Sequence, residues 1–583
     1  MLHTLTRSLR ENKGPALVTV LLSALEVVFE IVIPLFMSNL IDFGIEGGSM
    51  AAVWKFGAFL LLLAAFQLAT GVLAARIAAR ASVGFAANLR EDMYDNVQTF
   101  AFSNIDKFST ASIVTRLTTD TTNVQNAFQM LMRMAIRAPV MLIFSMIVSF
   151  RISRDISMTF LIILPILALA LFFIIRSVFP VFTRVFRTYD ELNNVVQENV
   201  RGIRVVKSFN QERHEIGKFG AISERIYKDF SKGERLITLN APLMQSCIYT
   251  CMIIISWLGA KAIIASGNDP ALGLTTGNLT ALITYTMQIL SSLMMLSMVF
   301  AMLTISLSSA RRIAEVLEER SDIPQPEQPV MTVRDGAVDF DHVSFVYASK
   351  ADKKVLDDID LHIRSGETVG VIGGTGASKS SLVQLIPRLY DVTGGKLTLG
   401  GVDVRDYDLD TLRGAVAMVL QKNELFSGTI AENLRWGNEN ATDEQLRHAC
   451  KLACADEFIS AMPDGYDTHI EQGGTNVSGG QKQRLCIARA LLKKPKVLIL
   501  DDSTSAVDTR TDAQIQQALS TYIPDTTKII IAQRISSVQN ADRIVVLDDG
   551  RINAVGSHDE LLRSCEIYRE VYESQQKGGE DDA

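Results

Sequence analysis

The sequence predicts a membrane-embedded all-α domain of six helices with long helical extensions, followed by a soluble α/β domain. The first 310 residues contain long apolar stretches, whereas the remainder alternates short apolar strands with helix-forming segments. A chain of 583 residues also exceeds what one hydrophobic core organises, so at least two domains are expected. The composition, 48% apolar but only 7% aromatic, fits a protein that is part membrane and part soluble.

Six apolar spans make up the predicted membrane domain, residues 1–310, and each approaches or exceeds bilayer length. The few charges inside them include Glu26 and Glu30 in the first span and Arg133 and Arg137 in the third. The spans are Gly14–Ile41, Phe56–Ala75, Phe128–Phe150, Met158–Ile175, Leu236–Ala260 and Leu279–Ala310.

The distribution of basic residues predicts the orientation of these spans. The short loops around Gly47 and Gly267 are poor in Lys and Arg, whereas the N-terminal segment and two long connections are rich in them. The positive-inside rule therefore places both termini and the soluble domain in the cytoplasm of a multi-pass cell-membrane protein. The short loop 151–154 is an exception to this pattern, but the remaining loops support the same orientation. The N-terminus lacks the cleavage site of a signal peptide, so none is expected to be removed.

Residues 311–335 are predicted to be a linker, because a charged helix end is followed there by three prolines. The soluble domain is expected over 336–574, and a polar, disordered tail over 575–583. The formal net charge of −7 gives no reason to expect nucleic acid as a partner. Six cysteines without a CxxC pair predict neither a disulfide framework nor a zinc site.

A phosphate-binding loop is indicated by residues 373–380, GGTGASKS, which come close to the pattern GxxxxGK[ST]. The loop follows an apolar strand, Thr368–Ile372, and opens a helix predicted over Ser380–Leu389. Backbone N–H groups at such a helix start point at phosphates, Lys379 would reach their oxygens, and the Ser380 hydroxyl would ligate Mg²⁺. The candidate binding residues here are Gly373, Thr375, Gly376, Ala377, Ser378, Lys379, Ser380 and Ser381.

A second informative stretch runs from Val477 to Asp508. It is predicted to form a helix over Gln481–Leu492, because the segment is rich in Arg, Lys, Leu and Ala. After a proline comes a short apolar run, 496–500, which is typical of a buried parallel strand. This strand ends in Asp501 and Asp502, at the edge where α/β sheets place their ligands. Asp501 would hold Mg²⁺ through water.

These motifs together resemble the nucleotide-binding domain of an ABC transporter, and the six preceding spans extend the resemblance over the whole chain. The resemblance implies ATP and Mg²⁺ as cofactors, with Tyr347 stacking on adenine and Gln421 touching the metal. It also implies coupling helices, which press on nucleotide domains, near 105–112 and 209–218. The residues that would act on the nucleotide of a partner domain are the signature Ser478, Gly479, Gly480 and Gln481, together with Asp508.

Three positions depart from the family pattern. Ser378 replaces the glycine before the lysine, where the backbone crowds the phosphate. Asp502 stands where the family has a catalytic glutamate and is one methylene shorter, and small misplacements of catalytic groups are costly. Gln533 replaces the histidine that contacts the γ-phosphate, and an amide cannot carry positive charge there.

The signature, in contrast, matches the family. Because two nucleotide domains of this family pair head to tail, an intact signature beside a degenerate own site predicts an asymmetric pair. The chain is therefore expected to be one half of a heterodimeric, type IV, multidrug-type ABC exporter. Its own site would be hydrolytically impaired, and it would complete the ATPase site of a second, different half-transporter. Drift in a homodimer, which would leave both sites weak, is the alternative.

The membrane half indicates less about cargo. The expected cargo is amphipathic small molecules, either drugs or lipids and some of them cationic, which the exporter in its lipid bilayer would move out of the cytoplasm. A peptide exporter and a regulatory or channel-forming ABC protein that binds ATP without pumping are the alternatives. Glu26 and Glu30 lie one helical turn apart on the same face. They would either line the substrate cavity or pair with Arg133 or Arg137.

Overall fold

The chain divides into two compact units, each built from two separate stretches of sequence. The computed structural model describes residues 1–269, 273–347, 354–374 and 376–580. The first unit comprises Met1–Gln98 and Thr110–Glu319, and the second comprises Thr99–Ser109 and Arg320–Ala583. The predicted linker is thus divided, since its charged first part continues the last helix of the first unit.

The first 319 residues are helical over most of their length. Their helices are α1 Leu2–Arg7, α2 Lys13–Asn39, α3 Met50–Gln98, α4 Phe102–Lys107, α5 Thr110–Thr115, α6 Thr121–Ile152, α7 Arg154–Arg201, α8 Ile203–Ser208, α9 Glu212–Thr238, α10 Asn240–Ser266 and α11 Thr276–Glu318. Two π-helical segments, Leu40–Glu46 and Arg116–Asp120, extend α2 and precede α6. In the described residues, six helical segments are long and apolar enough to cross a membrane. The six predicted spans agree with them.

The membrane helices pack through small residues and aliphatic side chains. Ala78 and Ala81 of α3 are fully buried against Met132 of α6. Small residues let helices approach closely where lipid supplies no hydrophobic driving force between them. A larger cluster, which includes Phe160 of α7 and Ile255 of α10, joins α7, α10 and α11. These contacts set which polar side chains of neighbouring helices can meet.

The two predicted coupling segments differ from the observed helices. Segment 105–112 overlaps the end of α4 and the start of α5. Segment 209–218 contains no separate short helix, so that prediction is corrected: the short helix is α8, and α9 begins at Glu212. The chain turns between them because Asn210 has a left-handed φ of 51°. The acidic first turn of α9 then favours a helix start.

The second unit has the predicted α/β architecture. Its strands are β1 Val338–Phe345, β2 Leu356–Ile363, β3 Thr368–Gly373, β4 Gly394–Leu399, β5 Val402–Asp403, β6 Val416–Val419, β7 Gly428–Thr429, β8 His469–Ile470, β9 Val497–Asp501, β10 Thr527–Ile531, β11 Arg543–Asp548 and β12 Arg551–Gly556. Its remaining helices are α12 Lys379–Gln384, α13 Leu409–Ala415, α14 Ile430–Arg435, α15 Asp443–Leu452, α16 Asp456–Ser460, α17 Gly479–Leu492, α18 Thr509–Tyr522, α19 His558–Ser564 and α20 Glu566–Glu580.

A mostly parallel sheet positions the candidate site. Within the described residues its strand order is β12-β11-β3-β10-β9-β6, with only β12 antiparallel to its neighbour. Every residue of β9 and β10 is buried, as expected for strands covered on both faces. Ile531 at the end of β10 pairs with Val371 of β3 and with Asp501 of β9. The loops that follow these three strands therefore meet at one edge.

Two predicted boundaries of this unit are wrong. Helix α12 ends at Gln384 rather than at Leu389, because Pro387 has no backbone N–H to continue the helix. The tail predicted to be disordered, 575–583, is helical as far as Glu580, since α20 runs from Glu566 to that residue, and residues 581–583 lie outside the described part of the chain. The polar composition of this tail is also typical of disordered segments. Composition could not show that Gln575 makes side-chain contacts with the loop after β10.

Candidate nucleotide-binding site

The loop after β3 curls around the ammonium group of Lys379. Its Nζ donates hydrogen bonds to the carbonyls of Gly373 and Gly374, each over 2.9 Å. Gly376 and Ser378 have left-handed φ values of 86° and 67°, which turn the chain into α12. Burial lowers the pKa of Lys379, although nearby carboxylates oppose the shift. The loop therefore presents a cation at a helix start, a combination that suits phosphate. Thr375 lies outside the described residues.

Asp501 meets the hydroxyl of Ser380 at the same edge of the sheet. The Ser380 Oγ donates to Asp501 Oδ1 over 3.0 Å, and Asp501 is only 4% exposed. Burial and the neighbouring Asp502 raise the pKa of Asp501, while Ser380 and Lys379 oppose the rise. A hydroxyl and a carboxylate are the hard oxygen donors that Mg²⁺ prefers, so these two residues fit the metal. Bound there, Mg²⁺ would neutralise charge on the phosphates.

Asp502 receives the amides of two glutamines from separate loops. Gln533 Nε2 donates to Asp502 Oδ2 over 2.7 Å, and Gln421 Nε2 approaches the same oxygen at 3.4 Å. Asp502 is almost buried and has a left-handed φ of 48°. Two of the three residues that depart from the family pattern are therefore in direct contact.

Tyr347 is joined to the phosphate loop through its hydroxyl. Its phenol oxygen lies 2.7 Å from Ser381 Oγ, and it also donates to Gln384 over 3.3 Å. The ring meets Tyr390 edge-on, with centroids 5.1 Å apart. The tyrosine remains 44% exposed, so it retains surface for an aromatic ligand beside the loop.

The signature residues build the start of helix α17. Ser478 caps the helix by accepting from the Gln481 N–H over 3.3 Å, and Gln481 Oε1 accepts from the Ser478 N–H over 2.9 Å. This reciprocal capping box explains why the helix begins at Gly479, two residues earlier than predicted. A Cβ on Gly480 would lie 2.8 Å from the carbonyl oxygen of Ala506, so the segment 505–508 packs closely against this helix start.

Gln483, which sequence reasoning missed, connects the signature helix to the carboxylate edge. It is buried, and its Oε1 accepts from the Ala506 N–H over 3.0 Å while its Nε2 donates to Ser505 Oγ over 3.3 Å. Ser505 in turn donates to the Asp502 carbonyl over 3.0 Å. A glutamine near the polar start of a helix is common, so the sequence did not indicate that Gln483 makes this connection. Asp508, a predicted site residue, caps α18 by accepting from the Thr511 N–H over 2.9 Å.

In the membrane helices, both candidate glutamates contact Arg137. Its guanidinium donates to Glu26 Oε1 over 2.7 Å and to Glu30 Oε2 over 2.6 Å. The three side chains are 11–25% exposed, and Gly71 of α3 leaves room for the Glu26 carboxylate. Arg137 therefore bridges two acidic groups on α2 from its place on α6, which is one of the two arrangements expected from sequence.

A loop that holds Lys379 at a helix start, a carboxylate pair at the end of the parallel strand β9 and a preceding set of apolar helices are typical of a membrane protein with a nucleotide-binding domain. Comparison with known proteins agrees. Residues 16–294 match the family model of the ABC transporter transmembrane region, and residues 356–505 match the ABC transporter model. This chain belongs to the ABC transporter family.

Two relatives match over nearly their whole length. The uncharacterized ABC transporter ATP-binding protein YfiB of Bacillus subtilis is 35% identical over 96% of both chains. The Mycobacterium tuberculosis protein Rv1273c, also an uncharacterized ABC transporter ATP-binding protein, is 32% identical over 99% of this chain and 98% of its own. The structure of a bacterial Atm1-family ABC exporter with ATP bound is similar in fold, with a TM-score of 0.79 over 97% of this chain and 98% of its own, at 24% identity. The chain thus has the fold of an ABC exporter.

Proposed function

We propose that this chain is one half of a heterodimeric ATP-driven exporter. It binds Mg·ATP at its own site without rapid turnover and supplies its signature to the catalytic site of a different half-transporter. The observation that carries the proposal is the contact between Gln533 and Asp502. The short carboxylate there is engaged by a neutral amide, whereas the signature residues form a regular capped helix start.

The proposed chemistry assigns each described residue one task. Lys379 and the N–H groups of the loop hold phosphate oxygens, and Ser380 and Asp501 hold Mg²⁺. At the position of the general base, Asp502 reaches less far than glutamate would, which weakens its alignment with an attacking water. Gln533 offers hydrogen bonds but no positive charge to the transferring phosphoryl group.

The proposed link to the membrane half is helix α4. In the second unit, the Tyr390 hydroxyl donates to Asp106 of α4 over 2.8 Å, and the rings of Tyr390 and Phe102 are 6.1 Å apart. Since Tyr390 also meets Tyr347, a change at the nucleotide edge can reach α4 through these two rings. We therefore assign the first coupling helix to Phe102–Lys107.

The proposed cargo is amphipathic and small. Three methionines at helical spacing on α11, Met287, Met294 and Met298, are 38–63% exposed. Thioether side chains adapt their shape to apolar ligands. The glutamates of α2 give less support to a cationic cargo, because their carboxylates are engaged by Arg137.

The experiment is an ATPase measurement on the purified chain in lipid nanodiscs, alone and paired with a half-transporter that has an intact glutamate and histidine. We expect poor hydrolysis by the chain alone and restored turnover in the pair. Fast hydrolysis by this chain alone would reject the heterodimer and favour a homodimer.

A further inference from the structure

The C-terminal helix α20 contacts the loop that carries Gln533. One side chain makes the connection: Gln575 Oε1 accepts from the Ile535 N–H over 2.9 Å, and its Nε2 donates to the Gln533 carbonyl over 2.7 Å. An amide offers an acceptor and donors on the same plane, so a single glutamine can satisfy both backbone groups.

This contact lies between two other attachments of the same loop. Before it, the Ala532 N–H donates to the Val371 carbonyl of β3 over 3.3 Å. After it, the Ser537 hydroxyl donates to Asp512 of α18 over 2.6 Å. Gln575 thus holds the backbone at the point where the chain leaves the sheet and presents the Gln533 side chain.

The position of this backbone determines where the Gln533 amide can reach. Its Nε2 donates to Asp502 over 2.7 Å, a distance that leaves little tolerance for displacement. A shift of about 1 Å in a catalytic loop is enough to weaken such an arrangement. The two hydrogen bonds that Gln575 makes with the backbone of this loop oppose that shift.

We propose that Gln575 is a positioning residue, which holds Gln533 in place and so helps the site to distinguish ATP from ADP. The inference rests on the proposed role of Gln533 at the γ-phosphate, which ATP has and ADP lacks. Residue 575 lies in a segment whose composition predicts disorder, so this role is available only because α20 reaches the loop.

The test compares two neighbouring glutamines in the full chain, reconstituted in nanodiscs with Mg²⁺. Gln575→Met removes both hydrogen bonds, whereas Gln576→Met removes a bond to the Tyr572 hydroxyl within α20. Dissociation constants are measured for fluorescent methylanthraniloyl ATP and ADP. We expect the preference for ATP to fall about three- to ten-fold in Gln575→Met, the size of one or two neutral hydrogen bonds, and to stay unchanged in Gln576→Met.

A double-mutant cycle separates positioning from simple destabilisation. In the Gln533→Ala background, Gln575→Met should have no further effect on the preference, although it should change the melting temperature by as much as it does in the unaltered chain. Gln575→Glu keeps the acceptor for Ile535 but sets a carboxylate oxygen against the Gln533 carbonyl, so its loss should be at least as large as that of Gln575→Met. An unchanged preference in Gln575→Met, or additive effects in the double variant, would overturn the positioning role of Gln575. Either result would leave the proposed role of Gln533 standing. An unchanged preference in Gln533→Ala would reject the proposed role of Gln533 and this inference with it.

Discussion

Gln533 Nε2 donates a hydrogen bond to Asp502 Oδ2 over 2.7 Å, across the parallel pair β10 and β9. In the family pattern a histidine stands at the position of Gln533 and a glutamate at the position of Asp502. The lengths of the two side chains in this protein match each other. A glutamine is long enough to reach the shorter carboxylate, and its neutral amide supplies a hydrogen bond but no positive charge. The proposed impairment of hydrolysis at this site rests on this contact.

Restoring both residues should restore hydrolysis. In Asp502→Glu/Gln533→His the carboxylate reaches further and the ring can carry positive charge. We expect the ATPase rate of the chain alone to rise by about 10²-fold, the usual size of general-base catalysis. The single variants, in which one partner remains mismatched, should gain much less. An unchanged rate in the double variant would mean that these residues do not limit turnover.

The signature should matter more than Asp502 in the proposed heterodimeric pair. Ser478→Asp keeps a good helix cap but adds negative charge where the partner's nucleotide would bind. We expect a loss of about 10²-fold in the ATPase rate of the pair, comparable to the loss of one transition-state donor. Asp502→Ala should have a mild effect.

Ser478→Asn, which also caps helices but carries no charge, is the matched control and should lose less. Gly480 is a poorer choice, because an added Cβ would meet Ala506 of the same chain. Equal losses from Ser478→Asp and Asp502→Ala would show that both sites turn over.

The chain's own site should keep its nucleotide. Lys379, Ser380 and Asp501 are placed where they can hold Mg·ATP, while Asp502 and Gln533 depart from the family pattern. After many turnovers of the pair, nucleotide extracted from this site should be intact ATP, with ADP at the opposite site. Photo-crosslinking with an azido nucleotide, followed by separation of the two chains, distinguishes the sites. Finding ADP at both sites would contradict the asymmetry.

We expect Ser378 to lower the stability of the folded protein without preventing it from binding ATP. Its φ of 67° places an L-residue in the left-handed region, which costs roughly 1–2 kcal/mol. Ser378→Gly should therefore raise the free energy of unfolding by about 1 kcal/mol without loss of ATP affinity. Ser378→Ala keeps the Cβ and should gain nothing. Denaturant unfolding of the variants, read from the soluble domain, provides the measurement, and equal stability of all three proteins would remove the strain argument.

The glutamates of α2 should act as structural partners of Arg137. Glu26→Gln/Glu30→Gln leaves that guanidinium without a carboxylate, which should destabilise the protein by roughly 3 kcal/mol. The melting temperature and the transport of every cargo should then fall together. Adding Arg137→Gln makes the cluster neutral and should recover most of the stability. A selective loss of cationic cargo at unchanged stability would instead place the glutamates in a substrate cavity.

Local sequence was sufficient for several elements of this protein. The apolar spans, the glycine-rich loop before α12 and the buried strand β9 each depend on neighbouring residues and on a regular spacing. Their types and approximate positions could therefore be predicted. The boundary errors at α12 and α17 arose where a proline and a capping box override the average helix propensity.

Contacts between distant residues were decided by the tertiary structure. The strand order brings Asp502 beside Gln533. The packing of α6 against α2 places Arg137, rather than Arg133, next to Glu26 and Glu30. No spacing within the sequence encodes either pairing. Disorder was predicted for the C-terminal segment because its polar composition resembles that of disordered segments, whereas α20 continues as far as Glu580. The hydrogen bonds of Gln575 to the loop after β10 exist only once the sheet and α20 are assembled, since their partners lie 40 and 42 residues away in the chain.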